Sequence, residues 1–88
     1  MTKYRRAVEL LEAELGDELV ALEPNAGECF GFNSVATSVW RLLDQPKSFA
    51  ELRDALLEEY DVKPEQCTRE LKELLDDLAS RGLVSAAD

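Results

Sequence analysis

The sequence predicts an α+β fold, a three-stranded antiparallel meander followed by three helices. Three observations carry this reading. Apolar residues recur at alternate positions as far as Phe32, then at helical spacing from Val35 onward. Gly16 and Gly27 punctuate the first part at hairpin intervals. Ser48 with Glu51, then Pro64 and Gly82, mark helix boundaries in the second part.

The first strand is predicted over residues 8–15 and the second over 18–23, joined by the two-residue turn Gly16-Asp17. Pairing Leu15 with Glu18 sets Ala13 opposite Val20 and Leu11 opposite Leu22. Leu11, Ala13, Val20 and Leu22 then share one face. Glu12, Glu14 and Glu23 share the other with Leu10, Leu19 and Ala21. Pro24-Asn25-Ala26-Gly27 suits a type I turn followed by a left-handed Gly. A three-residue loop of that kind sets Glu28 against Pro24, so that Leu22 faces Phe30 and Val20 faces Phe32. The third strand, residues 28–32, is then an edge, and the apolar face without glutamates is the expected core face.

Helix 1 is predicted over residues 34–43, with Asn33 or Ser34 as N-cap and Val35, Val39, Trp40, Leu42 and Leu43 on its apolar side. Helix 2 begins at the capping box of Ser48 and Glu51, turns Phe49, Leu52, Leu56 and Leu57 inward, and ends near Tyr60. Helix 3, residues 64–81, starts at Pro64, carries the stripe Cys67, Leu71, Leu74, Leu75 and Leu78, and is closed by Gly82. Leu83 and Val84 allow a short terminal strand. The order of elements makes the fold winged helix-turn-helix-like, with helices 2 and 3 as the helical pair.

The totals narrow the function. Eighty-eight residues suffice for one modest core, so residues 1–88 are expected to form a single domain. The formal net charge of −9 opposes binding to phosphate backbones or anionic membranes and suits a basic partner. Glu9, Glu12 and Glu14 interrupt any signal-peptide core, and no apolar run is long enough to span a bilayer. The expected location is cytoplasmic.

Catalytic chemistry has little to work with. The chain has no His, its serines have no activating partner in sight, and Glu58-Glu59 and Asp76-Asp77 are helix neighbours that point about 100° apart. Two Cys without a C-x-x-C do not make a zinc site, and the isolated glycines make no phosphate loop. Cys29 and Cys67 read as small buried residues. No enzyme activity, metal or cofactor is expected. A helix-turn-helix also raises DNA binding, with helix 3 as the recognition helix. That helix carries Glu65, Glu70, Glu73, Asp76 and Asp77 against Arg69, Lys72 and Arg81, a balance that phosphates repel. A winged-helix DNA-binding or regulatory domain is therefore the alternative, and a dimerisation subunit using Leu10 and Leu19 the third reading.

Peptide recognition remains. The third strand offers unpaired backbone groups, with no Lys or Pro to block them and Glu28 as its only charge. Cys29 and Gly31 leave one side of it bare. Gly31 either makes room for a visiting chain or lets the strand bend or Trp40 pack closely.

GECFGFNSVATSVWRLLD, followed by SFAELRDAL, EEYDVKPEQ and LASRGLV, resembles the PqqD-like family, also called RiPP recognition elements. The likeness runs from about residue 11 to 84. It implies a domain that binds the leader of a ribosomally made precursor peptide as a strand antiparallel to strand 3. The leader's side chains then enter a groove against helix 3, and the domain delivers the precursor to a separate maturation enzyme. Carried onto this chain, the contacts are Glu28, Cys29, Phe30, Gly31 and Phe32 on the strand, and Cys67, Glu70, Leu71, Leu74, Asp77 and Leu78 on the helix. The phase argument puts Phe30 and Phe32 in the core, shaping the groove from below. A chain of this length, without the Trp-containing N-terminal stretch of the pyrroloquinoline quinone subgroup, is most similar to the discrete recognition proteins of lasso-peptide systems. There the implied partner is a leader peptidase, with a radical-SAM or other tailoring enzyme as the other option.

Overall fold

The computed structural model describes residues 1–88. The meander is β2 (Leu11–Leu15), β3 (Glu18–Glu23) and β4 (Glu28–Phe32), antiparallel in that order, with β4 at an edge. Three helices follow: α1 (Ser34–Leu42), α2 (Phe49–Glu59) and α3 (Pro64–Ser80). A second sheet was not expected. Its centre is β1 (Lys3–Arg6), flanked by β5 (Lys47–Ser48) and β6 (Val84–Ala87), which joins the two ends of the chain. The predicted first strand therefore starts late, at Leu11, and residues 3–6 form a strand of their own.

The boundary signals act as their chemistry dictates. The Asn33 side chain accepts from the Ala36 N–H at 2.9 Å, capping α1. Ser48 accepts from Glu51 N–H while the Glu51 carboxylate accepts from Ser48 N–H, a complete capping box. Those Ser48 bonds hold the Glu51 carboxyl below its ordinary range. Pro64 opens α3, and Gly82, at φ 74°, closes it.

The β2–β3 register is as expected: Leu15 faces Glu18, Ala13 faces Val20 and Leu11 faces Leu22. The β3–β4 register is not. Four residues, 24–27, form the loop; Gly27 sits at φ 71° and its N–H donates to Glu23 C=O at 2.8 Å. Glu23 then pairs with Glu28, Ala21 with Phe30 and Leu19 with Phe32. A one-residue shift exchanges the faces of a strand. The core face is thus the one with the glutamates: Leu19, Ala21, Phe30 and Phe32 are buried, while Leu11 and Val20 stand 61 % and 40 % exposed. Leu19, expected on a polar face, belongs to the core.

Glu12 and Glu14 tolerate this inward face because edge strand β2 brings them to donors on and beside α1. Trp40 Nε1–H donates to Glu12 Oε2 at 2.9 Å, and Arg41 donates to Glu14 at 2.8 Å. Trp40 is 1 % exposed and central. Its ring lies 5.7 Å from Phe32, the Arg6 guanidinium sits 4.6 Å from the ring centre, and Arg6 donates to Trp40 C=O. A buried indole N–H left without a partner costs about 1–3 kcal/mol, so the carboxylate above it favours this register. The remaining core comes from Leu52 and Leu56 of α2 and from Cys67, Leu71, Leu75 and Leu78 of α3, with Leu83 and Val84 closing it.

Candidate functional site

One side of β4 pairs with β3; the other has no strand beside it. Along that free edge runs a cleft of about 220 Å³. Its strand wall is Cys29, Phe30, Gly31 and Phe32, and its helix wall is Leu74, Asp77 and Leu78. Leu78 is buried, Leu74 half-buried and Asp77 exposed, so the floor is apolar and the lip polar. Asn33, Ala36 and Arg81 complete the lining. Arg81 Nε donates to Asp77 Oδ2 at 3.1 Å, an ion pair one helical turn long at the lip.

The other helix residues named from the sequence lie one stretch further toward the α3 N-terminus. Cys67, Glu70 and Leu71 line a separate hollow of about 70 Å³ with Val35, Leu56, Tyr60 and Val62. Val35 borders this hollow and Ala36 borders the cleft, so the two depressions flank the start of α1. Glu28 lines neither; it is exposed at the head of β4, opposite Glu23. The structure therefore gathers seven of the eleven expected residues in one cleft, three in its neighbour, and leaves one outside.

Asn33, Ala36, Arg81 and the hollow's Val35, Leu56, Tyr60 and Val62 were not foreseen. Arg81 was legible, since it follows Asp77 by four residues on a helix face already selected. Tyr60 and Val62 were not, because they fall in the irregular link between helices, where periodicity carries no signal.

Phe30 and Phe32 lie buried beneath the strand, as their spacing implied, although their cross-strand partners are Ala21 and Leu19. Phe32 C=O accepts from the Thr37 hydroxyl at 3.3 Å, which fastens the end of β4 to α1. Gly31 is not there for close packing. A Cβ built on it meets nothing within 4 Å, and its φ is not positive. Cys29 is exposed rather than buried, whereas Cys67 is buried and its thiol is pushed up by desolvation. A protonated, enclosed thiol is a poor nucleophile. What the arrangement offers is shape and backbone hydrogen-bonding capacity: an open strand edge over an apolar floor.

A larger open cleft, about 650 Å³, lies between residues 5–10 and Trp40, Leu43 and Pro46. It contains none of the eleven leader-contact residues named from the sequence.

The sequence pattern described as Coenzyme PQQ synthesis protein D (PqqD) matches residues 18–84, well over half of the chain. The chain belongs to the PqqD family. Among solved structures, this PqqD-family chain is similar to TbiB1 in complex with the TbiA(beta) leader peptide. The identity is 31 %, the TM-score 0.80, and the match covers 92 % of this chain and 94 % of that one. It is also similar to a lasso peptide synthetase B1 complexed with its leader peptide, at 29 % identity and TM-score 0.74, over 93 % and 96 % of the two chains. Comparison with curated protein sequences gives no match. No helix of this PqqD-family chain is long and apolar enough to cross a membrane.

Proposed function

We propose that this chain binds the leader segment of a ribosomally synthesised precursor peptide in a lasso-peptide system. The leader adds as an antiparallel strand to β4 and sets alternate side chains into the cleft against α3. The observation that carries this is the free edge of β4 lying directly over an apolar floor, in a chain so similar to two proteins solved with leader peptides. An antiparallel strand pairs its upstream end with Phe32 and its downstream end with Glu28. The upstream part of the leader then reaches the hollow of Cys67, Glu70 and Leu71, and the downstream part leaves past Glu28. The bound precursor is presented to a separate maturation enzyme, a leader peptidase in the first instance.

Titration calorimetry with the leader encoded beside this gene tests the reading. Expected is a Kd near or below ~1 μM and slowed amide exchange over residues 28–32; a Kd weaker than ~100 μM sinks it. Charge opposes the winged-helix DNA-binding alternative: the formal net charge is −9, and residues 7–40 contain no Lys or Arg.

A further inference from the structure

Arg6 stands outside the β4–α3 cleft yet is tied to it through two aromatic rings. Its guanidinium lies 4.6 Å from the centre of the Trp40 ring. Nε and Nη2 both donate to Trp40 C=O, at 3.1 and 2.5 Å. Nη1 comes within 4.0 Å of Glu12 Oε2, the acceptor of the Trp40 indole N–H. The Trp40 ring in turn packs 5.7 Å from Phe32, which lines the cleft at the end of β4. The place suits a cation. Trp40 C=O is among the last carbonyls of α1, and the negative end of the helix dipole draws a guanidinium there. A planar, forked cation bonds that carbonyl and covers the ring at once.

Fastening β1 does not require these contacts. β1 pairs along its whole length with β6, from Lys3 opposite Ala87 to Arg6 opposite Val84, and its first two residues also pair with β5. Ala7 N–H donates to Leu83 C=O at 2.9 Å just beyond it. What Arg6 adds is a hold on α1. Only Asn33 separates β4 from α1, and the Thr37 hydroxyl donates to Phe32 C=O. Asn33 and Ala36, at the start of α1, line the cleft themselves. The pose of α1 therefore sets the angle of the β4 edge and the width of the cleft.

We infer that Arg6 is a positioning residue for leader binding: it fixes α1, and through Trp40 and Phe32 the β4 edge, before the leader arrives. The inference rests on the leader-binding reading above. Strand addition loses affinity when the receiving edge must be ordered at the moment of binding, and a preset edge avoids that loss.

The test compares the full chain with Arg6→Met, Arg6→Lys and Leu52→Val, each titrated by calorimetry with the synthetic leader peptide encoded beside the gene. Arg6→Met keeps the aliphatic stem and removes every donor. Arg6→Lys keeps a cation but cannot bond the carbonyl and cover the ring together, and it serves if Arg6→Met does not fold by circular dichroism. Leu52→Val loosens the buried core away from the cleft, and so measures what lost stability alone does. Expected is ~3- to 10-fold weaker leader binding in Arg6→Met, a smaller loss in Arg6→Lys and none in Leu52→Val. Amide exchange in the free protein should quicken over residues 28–37 in Arg6→Met and not in Leu52→Val. Parent-like affinity in Arg6→Met overturns the inference, as does an equal loss in Leu52→Val or unchanged exchange over residues 28–37. A parent that does not bind the leader sinks the leader-binding reading and this inference with it. A parent and an Arg6→Met that bind equally well leave that reading standing and remove only the part given to Arg6.

Discussion

Trp40 Nε1–H donates to Glu12 Oε2 at 2.9 Å, and through that bond a strand that looks outward-facing by its glutamates is held facing inward. Glu12→Ala leaves the indole N–H without its acceptor and should lower stability by about 1–2 kcal/mol. Glu12→Gln keeps a carbonyl acceptor and should lower it by less than about 1 kcal/mol. Urea unfolding of the three proteins checks the order. If Glu12→Ala unfolds at the same urea concentration as the parent, the bond does not stabilise the register.

Gly27 and Gly31 should respond oppositely to the same change. Gly27 has φ 71°, where a side chain is strained, so Gly27→Ala should cost about 1–2 kcal/mol. Gly31 has ordinary strand geometry and open space, so Gly31→Ala should stabilise by about 0.4–1 kcal/mol. Thermal melts of both variants decide this, and a destabilised Gly31→Ala would contradict the open surroundings of that position.

The two cysteines should differ in reactivity and in their effect at high pH. N-ethylmaleimide should label exposed Cys29 in the folded protein and Cys67 only in denaturant; mass spectrometry reads the sites. Burial raises the Cys67 thiol above its ordinary value of 9.0. The unfolded thiol therefore ionises first, so this group's stabilisation is complete below about pH 9 and is lost as pH rises through the folded value. The stability difference between parent and Cys67→Ala should shrink from pH 8 to pH 10, and a constant difference would exclude this linkage.

Leader affinity should depend on the α3 wall more than stability does. Leu74→Asp puts a charge on the half-buried cleft wall and should weaken leader binding at least ~10-fold, against ~1–2 kcal/mol of stability. Lys72→Ala, on the solvent side of the same helix, should leave both unchanged. Calorimetry on folded protein separates the two effects, and equal affinity in Leu74→Asp would remove the cleft from the binding path.

The helices were legible because their signals are local. A cap at Ser48, a proline at position 64 and a glycine at 82 act within one turn of where they stand. The pairing of β2 with β3 was legible too, since a two-residue turn leaves one register. The pairing of β3 with β4 was not, because a four-residue loop and a three-residue loop both suit Pro24-Asn25-Ala26-Gly27, and they differ in which face is buried. Hydrophobicity favoured the wrong answer, since the Leu11, Val20 and Leu22 face is the more apolar. What decides it is long-range: Trp40 and Arg41 of α1 supply donors to Glu12 and Glu14. The second sheet escaped for the same reason, its strands pairing residues at opposite ends of the chain. Seven of the eleven residues named from the sequence line one cleft, since the α3 stripe and the β4 edge survive either register.

The absence of Lys and Arg from residues 7–40 also governs how this protein can be handled at the bench. Trypsin has no site there, so a complete digest releases the whole meander and nearly all of α1 as one peptide ending at Arg41. Amine-reactive cross-linkers are blind to the same stretch. Mapping what sits on the sheet therefore calls for glutamyl endopeptidase and carboxylate-directed chemistry, to which Glu9, Glu14, Asp17, Glu18 and Glu28 give ready handles.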